Sequence, residues 1–92
     1  MSLCQAHIFI SGKVQGVFYR ASCQDVAVRY GLNGWVRNLP TGQVEVLVQG
    51  NKENLEKFIE WCKKGPPSAR VIDVNINWEN VSEIFNGFGV SD

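Results

Sequence analysis

The residues best suited to chemistry in this chain form a segment bracketed by two glycines and ending on an arginine. It runs Gly12-Lys13-Val14-Gln15-Gly16-Val17-Phe18-Tyr19-Arg20. A backbone that folds around a small anion needs glycines, because they adopt positive φ freely, and consecutive N–H groups in such a loop converge on negative charge. Arg20 adds a planar guanidinium that matches two phosphate oxygens at once. We therefore predict a phosphate-binding loop; the alternative is a strand-to-helix bend whose arginine forms a surface salt bridge.

A second candidate residue is Asn38, which precedes a turn of composition Leu39-Pro40-Thr41-Gly42. An asparagine amide offers both a donor and an acceptor. We expect the end of this strand and the glycine loop to share one rim of the sheet, which would bring Asn38 close to a bound anion. The alternative is that Asn38 only starts the turn through its side chain.

Alternating apolar and polar residues predict the strands that must position these groups. They cover residues 5–12, 33–38, 44–49, 71–78 and 88–90. In the first strand Ile8 and Ile10 share one face, and His7 and Phe9 share the other. In the fourth strand the alternation predicts one common face for Ile72, Val74, Ile76 and Trp78.

Apolar residues at helical spacing predict two amphipathic helices. The first contains Cys23, Val26, Ala27 and Tyr30; Ser22-x-x-Asp25 resembles a capping box, so this helix should begin near Ser22 and end at Gly31. The second begins at Asn51, a favourable N-cap, and ends at Gly65-Pro66-Pro67. Its buried stripe comprises Leu55, Phe58, Ile59 and Cys62, and the cations Lys63 and Lys64 lie in its last turn.

The resulting order, β-α-β-β-α-β with a short extra strand, is typical of an α+β fold of the split βαβ, ferredoxin-like kind. Two helices would cover one face of an antiparallel sheet. The length of 92 residues predicts one domain, residues 1–92.

Composition limits the partners that this domain is expected to have. Nine basic and nine acidic residues balance, so no overall field attracts nucleic acid, and no apolar run is long enough to span a membrane. Three widely spaced cysteines and one histidine favour a reduced, cytoplasmic protein without a metal site or other cofactor. We expect a monomer.

The two chemical segments together resemble the signatures of a known family. Gly12-x-Val14-Gln15-Gly16-Val17-x-Tyr19-Arg20 is similar to the first signature of the acylphosphatases, and Gly34-Trp35-Val36-Arg37-Asn38-x-x-x-Gly42-x-Val44-x-x-x-x-x-Gly50 is similar to the second. Ser68-Ala69-Arg70-Val71 is a third, weaker match. The resemblance covers essentially the whole chain. Phe18 departs from it, being bulky where many members carry a small residue.

The resemblance implies hydrolysis of an acyl phosphate to a carboxylate and inorganic phosphate. Arg20 would bind the phosphate, Asn38 would orient the attacking water, and the backbone N–H groups of a cradle would hold the phosphate oxygens. The cradle comprises Gln15, Gly16, Val17, Phe18, Tyr19 and Arg20. Inorganic phosphate or sulfate can be expected to occupy the same loop. Because the leaving carboxylate has a conjugate acid of pKa about 4, no general acid is required. No metal is required on this account either, since Arg20 and the N–H groups would stabilise the charge on the phosphate.

Other interpretations compete with this one. Cys23-x-x-x-x-x-Arg29 matches the spacing of cysteine-dependent phosphatases, but the intervening residues read as helix interior, which favours a buried Cys23. Trp35 and Phe9 could form an aromatic RNA-binding face, although the third strand lacks the aromatic–glycine run expected there. A regulatory ligand-binding domain and a module of a larger maturation enzyme are further alternatives. Lys13 and Arg37 could steer a dianionic substrate or be ordinary surface charges.

Overall fold

The order of strands and helices agrees with the predicted one, including the short last strand. The computed structural model describes residues 3–91. Its elements are β1 (Cys4–Lys13), α1 (Tyr19–Arg29), β2 (Asn33–Asn38), β3 (Val44–Gly50), α2 (Lys52–Lys64), β4 (Arg70–Glu79) and β5 (Phe88–Ser91).

The strands form a five-stranded sheet in the order β4-β1-β3-β2-β5. β1 lies antiparallel to both β3 and β4, and β2 lies antiparallel to β3. β5 pairs with β2 in parallel. The sheet is therefore mixed, and the predicted antiparallel arrangement holds for the first four strands only. The chain leaves β4 at one edge of the sheet and crosses to the opposite edge before it forms β5.

Both helices pack on the same face of the sheet and enclose the core, as predicted. From the sheet the core takes Ala6, Ile8, Ile10, Val36, Val44, Val46 and Val48, all fully buried. From α2 it takes the predicted stripe, Leu55, Phe58, Ile59 and Cys62. Asn51 caps α2 by accepting a hydrogen bond from the Asn54 amide at 2.8 Å. Within residues 3–91 no helix has the length and apolar character needed to cross a membrane.

The predicted start of the first helix is wrong. α1 begins at Tyr19 rather than after Ser22, and the Ser22 amide already donates an intrahelical hydrogen bond to the Phe18 carbonyl at 3.1 Å. Ser22-x-x-Asp25 is therefore not a capping box. The residue that precedes the helix is Phe18, which adopts a left-handed conformation (φ 64°, ψ 20°), and within residues 3–91 no side chain caps the start of the helix. As a result, Arg20 lies in the first turn of α1 and the helix begins directly at the glycine loop.

The predicted common face of the fourth strand is also wrong at one position. The register between β1 and β4 shifts between Ser11 and Gly12, so Ser11 pairs with Asp73 and Gly12 with Val71. Ile72 is the extra residue of this β-bulge and is 78% exposed, whereas Val71 packs against the core. Val74 and Ile76 pack against the core as predicted. Trp78, the last residue of the predicted face, is half exposed.

Candidate active site

The glycine loop leaves the end of β1 and enters α1 with two side chains pointing inward. Val14 and Val17 are buried in the core. Between them, Gly16 has a φ of 74°, and a Cβ atom there would meet no heavy atom within 4 Å. Glycine is thus needed at this position for its backbone conformation rather than for lack of room. The loop is held at its base by apolar packing and leaves the backbone around Gly16 facing outward.

The Gln15 side chain ties this loop to the turn that follows Asn38. Its Nε2 atom donates hydrogen bonds to the carbonyl oxygens of Leu39, at 2.8 Å, and of Gln43, at 2.9 Å. The Leu39 amide in turn donates to the Gln43 carbonyl at 2.8 Å. Gln15 therefore fixes the position of the strand end that carries Asn38 relative to the loop.

We predict that Gln15→Ala lowers kcat roughly tenfold, because two hydrogen bonds contributing about 0.5–1.5 kcal/mol each hold the loop and the Asn38 turn together. The dissociation constant of inorganic phosphate should change much less, since the loop backbone remains. Steady-state kinetics on an acyl phosphate and titration with phosphate would measure the two effects. Gln15→Glu, which keeps the shape but cannot donate, should behave like Gln15→Ala. An unchanged kcat in both variants would contradict the positioning role.

A cavity of about 340 Å³ brings the glycine loop, the start of α1 and the end of β2 together. Its lining comprises Val14, Gly16, Phe18, Tyr19, Arg20, Ala21, Gln24, Asn38 and Val90. Arg20 and Asn38, from separate parts of the sequence, thus share one cavity. Of the predicted cradle, Gln15 and Val17 do not line it: the Gln15 side chain turns to the Leu39 turn, and the Val17 side chain is in the core.

Arg20 is oriented by the last strand of the sheet. Its Nη1 atom donates a hydrogen bond to the Ser91 carbonyl at 2.8 Å. On the other side of the loop, the Ser68 hydroxyl donates to the Val17 carbonyl at 2.9 Å. The residue pattern alone did not predict these supporting roles. The sequence contains one indication of Ser68, because this residue lies in the third and weakest segment that matches the family. It contains no indication of Ser91, because a backbone carbonyl does not depend on residue type.

Asn38, which lines the cavity, contains an unsatisfied hydrogen-bond acceptor. Its Oδ1 atom is buried and is the one such side-chain polar atom among residues 3–91 that makes no protein hydrogen bond. Buried polar atoms are nearly always paired, so an exception calls for an explanation such as a bound water or a functional role. The alternative that Asn38 only starts the turn through its side chain finds no support in its contacts, because the turn is held by Gln15 instead.

The other polar candidates lie away from this cavity. His7 is on the uncovered face of the sheet, where Nε2 lies 2.6 Å from Glu45 and Nδ1 lies 3.2 Å from Glu79. Arg37 is on the same face, bonded to Glu45 at 2.5 Å and lying 5.1 Å above the Trp35 ring. Burial alone would raise the pKa of Glu45, but the hydrogen bonds from His7 and Arg37 outweigh it and hold that pKa below its ordinary value. Neither His7 nor Arg37, nor Lys13, lines the cavity.

Cys23 is unsuited to the cysteine-phosphatase interpretation. It is fully buried within α1, and this burial raises the pKa of its thiol well above the ordinary value. The reactive form of cysteine is the thiolate, so Cys23 acts as a small core residue, as the helical spacing predicted.

A larger cavity, of about 650 Å³, lies between α1 and the end of α2 and includes Arg29, Trp61 and Pro66 in its lining. None of the predicted site residues contributes to it. Both cavities contain an arginine and a glycine with positive φ, which in the larger one are Arg29 and Gly65. The smaller cavity is the better candidate because its lining includes Asn38, whose amide oxygen is unpaired.

Comparisons with known proteins agree with one another. The acylphosphatase family model matches residues 6–90. The chain is 50% identical to an acylphosphatase of Pyrobaculum calidifontis, covering 98% of this chain and 83% of that protein. It is 42% identical to an acylphosphatase of Pelotomaculum thermopropionicum, covering 99% of each. The crystal structure of acylphosphatase from Bacillus subtilis superposes with a TM-score of 0.94 at 34% identity, covering 99% of this chain and 100% of that one.

Proposed function

Because this chain belongs to the acylphosphatase family, whose members hydrolyse acyl phosphates, we propose that it does so with Arg20 and the loop backbone binding the phosphate and Asn38 orienting the attacking water. The observation that carries this proposal is that Asn38, whose buried Oδ1 atom makes no protein hydrogen bond, lines the same cavity as Arg20. An unpaired amide oxygen is available to accept a hydrogen bond from a water molecule placed against a phosphate held by the arginine.

Phosphate binding rests on three features of the loop. Gly16 and Phe18 both have positive φ, a feature of backbone loops whose N–H groups can converge on an anion. The N-terminus of α1 follows at once and has no side-chain cap, so its partial positive charge is available to an anion. Arg20, whose Nη1 atom donates to the Ser91 carbonyl, supplies a charged guanidinium at the same cavity.

The reaction needs no protein acid or base. Water held by Asn38 attacks phosphorus in line with the acyl oxygen, the phosphorus–oxygen bond to the acyl group breaks, and the carboxylate leaves as an anion, because its conjugate acid has a pKa of about 4. The water proton passes to a phosphate oxygen, so the products are a carboxylate and inorganic phosphate. Catalysis then consists of positioning and of stabilising the charge on the equatorial oxygens.

The same mechanism requires no metal ion, because the guanidinium and the backbone N–H groups meet the phosphate charge. We expect rapid hydrolysis of benzoyl phosphate, followed by its ultraviolet absorbance, at an equal rate with and without a strong chelator. Loss of activity on chelation that returns with added metal would overturn the metal-free mechanism.

Absence of turnover by the folded protein would have a different meaning. The loop would then be a binding site without catalysis, and the regulatory-domain alternative would replace this proposal. Titration with inorganic phosphate distinguishes this case from an inactive preparation, since phosphate should bind to the intact loop of a folded protein but not to a preparation that has lost its fold.

We further propose that the protein acts as a cytoplasmic monomer without nucleic-acid partners. Unpaired cysteines at positions 4, 23 and 62 support a reducing compartment. The balanced net charge supports the absence of nucleic-acid binding.

A further inference from the structure

Phe18 is placed at the cavity in a way that folding does not explain. Its side chain is 79% exposed, although its apolar loop neighbours Val14, Val17 and Tyr19 are all buried. It is also the one non-glycine residue with positive φ among residues 3–91. A bulky side chain is disfavoured in this left-handed conformation. The position therefore combines an unfavourable backbone with an apolar ring left in water.

Phe18 lies next to the site proposed for the phosphate. Its backbone belongs to the loop proposed to hold the phosphate, and the residue forms part of the wall of the cavity that Arg20 and Asn38 share. Since water attacks in line with the leaving oxygen, the acyl group projects from the phosphate on the side opposite the attacking water. Val90, 43% exposed, is a second apolar side chain of the same wall.

We propose that Phe18 is a specificity-determining residue whose ring packs on the acyl group of the substrate; this proposal rests on the proposed function. The enzyme would then prefer aromatic or bulky apolar acyl phosphates to acetyl phosphate. A flat apolar ring gains contact area and favourable ring geometry with an aromatic acyl group and gains little from a single methyl. Substrate binding would then cover the apolar surface that folding leaves exposed.

The test compares kcat/KM for benzoyl phosphate and for acetyl phosphate in the parent and in Phe18→Gly. Glycine suits the left-handed backbone, so the loop should keep its shape. We expect the ratio of kcat/KM for benzoyl phosphate to kcat/KM for acetyl phosphate to fall about tenfold. Comparing the substrate ratio between parent and variant cancels the different intrinsic reactivities of the two compounds.

Two further variants control the comparison. Phe18→Asn tolerates the same backbone but lacks an apolar ring, and should shift the ratio as Phe18→Gly does. Val28→Ala removes another exposed apolar side chain, on α1 and outside the cavity, and should leave the ratio unchanged.

The outcomes separate this proposal from the proposed function. Equal losses on both substrates, or no change on either, would overturn the role of Phe18 while leaving the enzyme an acylphosphatase by this mechanism. A folded parent that hydrolyses neither compound would instead overturn the proposed function itself.

Discussion

Replacing Arg20 with alanine should reduce kcat/KM for an acyl phosphate by about 10²–10⁴-fold. Hydrogen bonds to charged groups contribute about 1.5–3 kcal/mol each, and the Arg20 fork can make two to a phosphate, which converts to this range at 1.36 kcal/mol per tenfold. Binding of inorganic phosphate should weaken along with turnover, because the same bonds hold the ground state. Steady-state kinetics with benzoyl phosphate and calorimetric titration with phosphate would measure both effects.

Two variants make the Arg20 experiment specific. Arg29→Ala removes an exposed arginine from the same helix, away from the cavity, and should retain nearly full activity. Arg20→Lys keeps the positive charge without the planar guanidinium, so its kcat/KM should lie between those of the parent and of Arg20→Ala. If Arg20→Ala binds phosphate as tightly as the parent, the guanidinium does not contact the phosphate and the assignment is wrong.

Replacing Asn38 with alanine should lower kcat by at least about 10²-fold while the dissociation constant of inorganic phosphate stays within a few-fold. Misplacing a reacting group lowers the rate of a reaction by about this factor. Phosphate binding should change little because Asn38 is proposed to contact the water rather than the phosphate. Kinetics over a full range of benzoyl phosphate concentrations would separate kcat from KM.

The Asn38 variant also has a distinctive expected stability. Because its Oδ1 atom makes no protein hydrogen bond, Asn38→Ala should fold and should melt close to the parent temperature, as judged by circular dichroism. Asn75→Ala, on the uncovered side of β4, serves as a control with unchanged kcat. A rise in KM with kcat unaltered would show that Asn38 contacts the substrate and not the water.

Much of the fold could be predicted because it follows from local patterns. The α2 stripe ending in Cys62, the Asn51 cap and the alternation of Ile8 and Ile10 each depend on residues a few positions apart, and the structure confirms them. The motif spacing likewise indicated the family, which the comparisons show. The site assignments of Arg20 and Asn38 remain predictions, with their shared cavity as support.

The errors arose where distant segments override a local pattern. Ser22-x-x-Asp25 has the composition of a helix start, but the packed loop places Phe18 in a left-handed conformation and begins α1 earlier. Ile72 fits the alternation of its strand, but the β-bulge opposite Gly12 turns it outward. A side chain at Gly12 would collide with the Arg70 backbone, so this glycine is required by a strand remote in sequence.

The amino-acid sequence therefore specified the elements, the loop glycines and the chemical groups, because periodicity, capping and glycine placement act over a few residues. Tertiary contacts set the arrangement of those groups. The Gln15 bonds to Leu39 and Gln43 hold the loop near Asn38, and the Ser91 carbonyl orients Arg20. These bonds join residues between 24 and 71 positions apart. Such pairings produce no periodic pattern in the sequence, and their acceptors are backbone carbonyls, which are the same at every residue.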